Sequence, residues 1–161
     1  MSSRNISAAD VLQRLRAANL TLCTAESCTG GLLGKLLTDV PGASSVYVGG
    51  VISYTNEVKH RLLGVSRQTL ERHTAVSAET AEEMARGARA RLGADVAVSV
   101  TGLAGPDGDG TGRAAGLVYI ALDRASGCIV QELHLAGERA AIREQAAQAV
   151  FALIMETLSE S

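Results

Sequence analysis

The sequence predicts an α/β protein, a single-domain three-layer α/β/α sandwich with a mixed sheet. Of the 161 residues, 47% are apolar and 20% are charged, as in ordinary soluble globular domains. Short β-rich segments alternate with segments of helical periodicity. The segment 94–102 is almost continuously apolar, which is typical of a strand that helices cover on both faces. No repeat or linker interrupts the chain, so we expect one domain over residues 1–161.

The first half of the chain predicts two strands, each bordered by helical sequence. The stretch "SAAD" at 7–10 has the pattern of a capping box, and a helix follows it. A short strand at 20–25 leads to a helix that starts near 30–31 and stops before Pro41. The segment 45–56 predicts a long strand, in which two consecutive glycines indicate a bulge or a close backbone approach.

Two helical regions come next. Residues 57–73 have the pattern of short helical pieces with a turn near Gly64. Ser77 can cap the following helix. The spacing predicts that this helix buries a face made of Ala81, Met84, Ala85, Ala88 and Leu92.

The last part of the chain predicts three strands and a final helix. The apolar strand 94–102 leads into a glycine-rich loop. Two further strands are joined by a tight turn at 125–127. A helix from Arg139 then buries a face made of Ile142, Ala146, Val150, Leu153 and Ile154.

Composition argues against several classes of function. The net charge is −2 and no basic block is present, which argues against a nucleic-acid partner. The apolar runs are too short for a membrane span, and the start of the chain lacks the apolar stretch of a signal peptide. We therefore expect a cytoplasmic protein that does not bind membranes. The three cysteines and three histidines lack metal-site spacing, so we expect no metal and reduced thiols.

Three familiar motifs are incomplete. The stretch 30–36 lacks the spacing of a phosphate-binding loop and the hydroxyl that would follow its lysine. The glycines of 108–116 have the wrong spacing for a dinucleotide fingerprint and lead into a strand. Tyr54 and Lys59 are one residue too far apart for the catalytic pair of short-chain dehydrogenases.

The stretch "TAESCTGG" at 24–31 contains the first candidate site. Ser27 follows a strand and precedes a helix, so it is either a helix cap or a nucleophile. The free N–H groups of the helix start, with Gly30 and Gly31 allowing a close approach, suit an oxyanion or a phosphate. Glu26 is either an exposed charge or a carboxylate that binds an amide. Cys28 is an alternative nucleophile, although no histidine stands in a partnering motif.

Lysine usage points to a second candidate. Lys35 and Lys59 are the two lysines, against thirteen arginines among the 15 basic residues. A buried lysine can lose its proton, whereas an arginine in a protein cannot. Lys59 could therefore activate Ser27, with the Tyr54 hydroxyl relaying the proton. The alternatives are a solvated charge at Lys59 and a packing residue at Tyr54.

Residues at the end of the most apolar strand are a third candidate. Ligands of α/β sheets gather beyond the carboxyl ends of strands. Thr101 and Gly102 are thus well placed to bind an anion or a substrate. The alternative is a flexible connection.

Taken together, these stretches resemble the CinA C-terminal domain family, also called nicotinamide-nucleotide amidases. The resemblance follows the family order over nearly the whole chain. The matching stretches are "TAESCTGGLL", "VYVGGVISYTNEVKHRLLGV", "TAVSAETAEEMARGAR", "SVTGLAGPDG", "GLVYIAL" and "GERAAIREQA".

The resemblance implies hydrolysis of the carboxamide of nicotinamide mononucleotide (NMN) to nicotinate mononucleotide and ammonia. It implies that Ser27 is the nucleophile and that Tyr54 and Lys59 activate it. It also implies that Glu26, Thr101 and Arg143 line a substrate site with no metal. Gly30, Gly31 and Gly102 are the further candidates for this site from the patterns described above. We expect no cofactor, a small-molecule nucleotide as partner and a homo-oligomeric assembly. A binding module that has kept the pocket but lost turnover is the alternative.

One stretch departs from the family pattern. After the glycine-rich loop the family often has a Lys-Pro pair, where this chain has Arg113-Ala114-Ala115-Gly116. We expect the rigidity and charge of the loop to differ there.

Overall fold

A computed structural model describes residues 5–159, which form a five-stranded mixed sheet between two layers of helices. The strands lie in the order β2-β1-β3-β4-β5. They are β1 Leu22–Glu26, β2 Tyr47–Ile52, β3 Val96–Gly102, β4 Leu117–Arg124 and β5 Gly127–His134. The helices are α1 Ala8–Ala17, α2 Leu32–Thr38, α3 Asn56–Leu63, α4 Arg67–His73, α5 Ala78–Leu92 and α6 Arg139–Ser159. The predicted fold class is confirmed.

The parallel part of the sheet determines where a site can form. β1 pairs in parallel with β2 on one side and β3 on the other, whereas β3, β4 and β5 pair antiparallel. All five residues of β1 and the first six of β3 are buried, as their apolar sequences predict. The carboxyl ends of β1, β2 and β3 therefore meet at one edge of the sheet.

The two helical layers bury the two faces of the sheet. Helices α1, α2 and α6 share the larger apolar core with one face, and residues of α3, α4 and α5 pack on the other. The predicted buried face of α6 is confirmed. On α5 the predicted face is buried except for Leu92, which is 37% exposed because it is the last residue of that helix.

Most helix starts have the side-chain caps that the sequence indicates. The capping box of α1 is formed in both directions by Ser7 and Asp10. The Ser77 hydroxyl accepts from the N–H of Thr80 at the start of α5. Such caps satisfy amides that the helix itself leaves without partners.

Strand β2 is shorter than the predicted 45–56. The chain before it forms a 3₁₀ helix, Ala43–Ser45, and Thr55 already caps α3. The predicted irregularity at the paired glycines is confirmed by a register shift between β1 and β2. A Cβ on Gly50 would lie 2.1 Å from Thr24 Oγ1, so only glycine permits this approach to β1.

Helix α3 is held close against α5. Its end at Gly64 adopts a left-handed conformation with φ of 72°, as glycine does readily. A Cβ on Gly87 of α5 would lie 1.8 Å from the carbonyl oxygen of Leu63. The missing side chain at Gly87 lets the two helices touch, which fixes α3 and the lysine it carries.

Candidate active site

Ser27 lies directly after β1, at the edge where the parallel strands end. Its N–H donates to the Val100 carbonyl of β3 at 3.0 Å, and its own carbonyl accepts from the Gly30 N–H at 3.0 Å. The chain thus leaves the sheet in a tight turn. This turn holds the Ser27 side chain at the sheet edge, with 7% of the residue exposed.

Lys59 of α3 is buried and contacts Ser27 directly. Its Nζ lies 2.8 Å from Ser27 Oγ, across 32 positions of sequence. Nζ also donates to the carbonyl oxygens of Ser53 at 2.8 Å and Tyr54 at 3.1 Å. Lys59 is 1% exposed, and among the described residues these three oxygens are the polar atoms that contact its amine.

Burial makes the Lys59 amine a usable base. Loss of hydration lowers its pKa from 10.5 to about 8, while a smaller influence of Cys28 acts in the opposite direction. A neutral amine keeps two N–H groups and one lone pair. Because the Ser53 and Tyr54 carbonyls can only accept, they take the two N–H groups and leave the lone pair for the Ser27 hydroxyl. The geometry therefore suits proton abstraction from Ser27.

The Tyr54 side chain does not have the position of the expected proton relay. Lys59 reaches Ser27 without an intermediate, so a hydroxyl between them has no place. Tyr54 is 60% exposed, and its hydroxyl accepts from Arg139 Nη2 at 3.4 Å. The backbone between β2 and α3 turns the Tyr54 carbonyl, rather than the ring, toward Lys59.

Cys28 is a poor nucleophile in this environment. Burial raises the pKa of its thiol to about 11, and the positive charges of Lys59, Arg143 and Arg139 oppose this shift only in part. Because the thiolate is the reactive form of cysteine, few molecules would carry it at neutral pH. Of the two neighbours, Ser27 has the better base and the better geometry.

Ser27 opens into a pocket of about 300 Å³, the lower end of the range for small-molecule sites. Thr101 and Gly102, at the end of β3, form part of its wall as expected. The Thr101 hydroxyl donates to the Ala75 carbonyl at 2.7 Å. A Cβ on Gly102 would lie 2.6 Å from Val118 Cγ2. The remaining lining residues are Cys28, Tyr54, Lys59, Ala75, Val76, Leu103, Ala104, Gly105, Asp107 and Arg139.

Glu26 lies outside this lining and supports the fold. It is 2% exposed, and its carboxylate accepts from the N–H groups of Leu33 at 2.9 Å and Gly34 at 3.1 Å. It thereby caps α2 from the end of β1. The expectation that the α2 amides bind an oxyanion is wrong for these two groups, because Glu26 already occupies them.

Gly30 and Gly31 also lie outside the lining. Both adopt left-handed conformations, with φ of 57° and 106°. A Cβ on Gly30 would lie 3.3 Å from Arg143 Nη2, and one on Gly31 would lie 3.1 Å from Ile52 Cδ1. Their glycine character serves the turn and its packing rather than the approach of a ligand.

The two arginines at the start of α6 have different partners. Arg143 donates from Nε to the Cys28 carbonyl at 3.1 Å and from Nη2 to the Thr29 carbonyl at 2.9 Å. It clamps the turn after Ser27 and does not line the pocket. Arg139, one helical turn earlier, does line it and donates from Nη1 to the Gly105 carbonyl at 2.7 Å.

Arg113 anchors the glycine-rich loop at the departure from the family pattern. It donates to the Val76 carbonyl at 2.5 Å and to Thr74 Oγ1 at 2.9 Å. Within the loop it donates from Nε to the Asp109 carboxylate at 2.7 Å. The loop is therefore held to the segment before α5 by one side chain rather than by a proline.

Among residues 5–159, no group of three or more His, Cys, Asp or Glu side chains is arranged to hold a metal ion. None of the described helices is both long and apolar enough to cross a membrane.

Comparison with known proteins decides the family. Residues 4–158 match the model of the CinA C-terminal domain. The chain belongs to the CinA C-terminal domain family. A CinA-like protein of Geobacter sulfurreducens is 50% identical over 133 residues, which are 83% of this chain and 32% of the relative. Another, from Syntrophomonas wolfei, is 47% identical over 137 residues, which are 85% of this chain and 33% of the relative. The chain spans about a third of the length of these curated relatives.

Solved CinA superfamily structures have the same fold over nearly the whole chain. One from Klebsiella pneumoniae has a TM-score of 0.92 at 34% identity and covers 94% of each chain. The competence/damage inducible protein CihA of Agrobacterium tumefaciens has a TM-score of 0.91 at 35% identity, covering 99% of this chain and 98% of that chain.

Sequence reasoning missed two charged residues of this CinA domain's pocket. Arg139 and Asp107 both line it, and both lie inside stretches that carry the family resemblance. The spacing of Arg139 and Arg143, four residues apart, places both on one face of α6. That spacing was a usable signal for a pair of cations at the site, although it could not tell which of them faces the pocket.

Proposed function

We propose that this chain is an amidohydrolase that converts NMN to nicotinate mononucleotide and ammonia, with Ser27 as nucleophile and Lys59 as base. The observation that carries the proposal is the 2.8 Å contact between Ser27 Oγ and a lysine amine that is buried among neutral oxygens. A nucleophile touching a base that other groups orient is the arrangement that covalent catalysis needs.

The first half of the reaction forms an acyl-enzyme. Ser27 Oγ attacks the carboxamide carbon while its proton passes to the Lys59 lone pair. The C–N bond then breaks, and the protonated amine of Lys59 returns this proton to the departing nitrogen, which leaves as ammonia. The second half hydrolyses this ester. The same amine takes a proton from a water molecule, whose oxygen attacks the ester carbon. The bond from this carbon to Ser27 Oγ then breaks, and the protonated amine returns the proton to Ser27 Oγ as the carboxylate product leaves.

Backbone groups of the Ser27 turn are the candidate donors for the tetrahedral oxyanion. The first free amides of α2 are taken by Glu26, as described above. The N–H groups of Cys28 and Thr29 remain, since neither donates to another residue in the part of the chain that the structure describes, and the Cys28 N–H contacts its own thiol. Arg143 holds the Cys28 carbonyl, whose peptide plane carries the Thr29 N–H. The Gly30 N–H holds the Ser27 carbonyl, whose peptide plane carries the Cys28 N–H.

Arg139 replaces Arg143 as the proposed phosphate ligand. Both hydrogen bonds of Arg143 go to backbone carbonyls of the turn, whereas Arg139 lies on the pocket wall. A guanidinium there can bind phosphate through two parallel hydrogen bonds. Thr101, Gly102 and Tyr54 complete the proposed binding surface.

The test is to incubate the purified protein with NMN and to measure both ammonia and nicotinate mononucleotide. Ser27→Ala should lower kcat by several orders of magnitude. Its fold should persist, because one lost hydrogen bond costs about 1 kcal/mol. Ser44→Ala, at an exposed serine, is the matched control and should keep full activity.

Cys28→Ala separates the two nucleophiles and should retain most of the turnover. Loss of activity in Cys28→Ala, with activity retained in Ser27→Ala, would transfer the role to the thiol. A wild-type protein that binds NMN without releasing ammonia would instead be a binding module that has kept the pocket.

A further inference from the structure

The pocket wall carries two opposite charges that are not paired with each other. Apart from Lys59, whose amine is turned to Ser27 and the backbone, the charged lining residues are Arg139 and Asp107. Arg139 donates to two neutral groups, the Gly105 carbonyl and the Tyr54 hydroxyl. Asp107 is exposed and lies on the pocket wall. Within the described residues, it takes part in no hydrogen bond or ion pair.

The second aspartate of the same loop shows that Asp107 is not needed to hold the loop. Asp109 accepts from the N–H and hydroxyl of Thr111 and from Arg113, and these bonds lower the pKa of its carboxyl far below the usual range. Arg113 in turn holds the loop to the Val76 carbonyl. The structural role in this loop thus belongs to Asp109, whereas Asp107 lies on the pocket wall with no partner among the described residues.

An aromatic surface lies on the same pocket. The Tyr54 ring is 60% exposed, and its hydroxyl is bound to Arg139. A tyrosine face attracts a cation through its quadrupole, and a nearby carboxylate adds a Coulomb attraction. Neither interaction requires the cation to donate a hydrogen bond. Both are therefore suited to a quaternary aromatic nitrogen, which has no hydrogen to donate.

We infer that Asp107 is a specificity-determining residue that selects amides carried on a cationic ring, while Arg139 takes the anionic end of the same ligand. The inference rests on the proposed function, because the oxidised pyridine ring of NMN is such a cation and its phosphate is such an anion. A zwitterionic ligand pairs both charges of the pocket at once. A neutral ring leaves the Asp107 carboxylate without a partner, so it should bind more weakly.

The test compares NMN with its reduced form, dihydronicotinamide mononucleotide, which keeps the carboxamide, ribose and phosphate but has an uncharged ring. Binding is measured by calorimetry on Ser27→Ala protein, so that no turnover interferes. We expect NMN to bind about five- to tenfold more tightly than the reduced form. Adding Asp107→Asn should lower the affinity for NMN by about that factor and should change the affinity for the reduced form by no more than about twofold.

Asp39→Asn in the same background makes the same chemical change at an exposed residue directly after α2 and should leave both affinities unchanged. Unchanged binding of the reduced form to the Asp107→Asn protein also shows that the pocket is folded. A preference for NMN that survives Asp107→Asn, or no preference in the parent, would overturn the role of Asp107 while NMN hydrolysis by the active protein still stands. Failure of both ligands to bind, together with no ammonia release, would overturn the proposed function and this inference with it.

Discussion

Lys35 and Lys59, the two lysines of the chain, occupy opposite environments. On α2, the Lys35 side chain is 68% exposed and pairs with Asp39 at 2.7 Å, one helical turn away. On α3, Lys59 is 1% exposed and contacts three uncharged oxygens. Within residues 5–159, no carboxylate lies within ion-pair distance of its amine.

The comparison shows that the surroundings decide what a lysine does. Water and Asp39 stabilise the ammonium of Lys35, and such exposed pairs contribute about 0–1 kcal/mol to stability. Around Lys59 little solvent and no nearby carboxylate stabilise the charge, so burial outweighs the small opposing influence of Cys28 and lowers the pKa of Lys59 to about 8. One side chain is a surface charge, and the other is an amine that is neutral in about a tenth of the molecules at pH 7.

Exchanging each lysine for arginine should separate the two environments most clearly. Lys59→Arg keeps a positive charge but cannot accept the Ser27 proton, so kcat should fall by roughly 10²- to 10⁴-fold, nearly as far as in Lys59→Ala. Lys35→Arg is the matched control and should keep wild-type turnover. Ammonia release from NMN is the measurement, with folding checked by circular dichroism.

Substantial turnover by Lys59→Arg would contradict the assignment of Lys59 as base. The residue would then serve only as a positive charge, and Ser27 would need another proton acceptor.

The pH dependence of unfolding should reveal the cost of burying Lys59. In the unfolded chain its pKa is near 10.5 and in the folded protein it is about 8, so between these values the unfolded state binds more protons. The free energy of unfolding of the wild type should therefore rise with pH over this window, by roughly 3 kcal/mol relative to Lys59→Met. Denaturant unfolding at a series of pH values measures it.

Lys35→Met is the control for this measurement, since it removes a lysine that lies in solvent. Groups that titrate in the same range, such as tyrosines and cysteines, cancel in the difference between each variant and the wild type. Parallel stability curves for wild type and Lys59→Met would show that the amine is not destabilised by burial.

The rate should follow the neutral fraction of Lys59. Below a pH of about 8, kcat/KM for NMN should rise about tenfold per pH unit, and above it the profile should level off. Measurements from pH 6.5 upward avoid the second ionisation of the substrate phosphate, near pH 6. Lys35→Ala should leave the midpoint in place. A flat profile through pH 8 would argue that a different group accepts the proton.

Local sequence was a reliable guide to elements and to chemistry-bearing residues. Capping at Ser7 and Ser77 depends on neighbours three positions away, and the continuous burial of β3 follows from its own apolar run. These features are short-range, so composition and spacing predict them. The scarcity of lysine likewise indicates Lys59 as a candidate from composition alone.

Contacts across the fold could not be predicted in the same way. Glu26 was expected to face a ligand, yet it caps α2, because β1 ends opposite the start of that helix. Arg139 and Arg143 lie on one face of α6, one helical turn apart. Arg143 contacts the turn after Ser27, whereas Arg139 lines the pocket. Nothing in the local spacing distinguishes these outcomes.

By itself, the sequence determined the α/β class, the element order, the family, and the identity of Ser27 and Lys59 as candidates. Only the tertiary structure decided that their side chains touch, that the Tyr54 ring does not lie between them and that Asp107 lines the pocket. The physical reason is that desolvation and hydrogen bonding depend on which groups surround an atom in space. For Lys59 those groups come from the turn after β1 and from the segment after β2, while α5 packs against α3 and holds the lysine in place. These parts lie far apart along the chain.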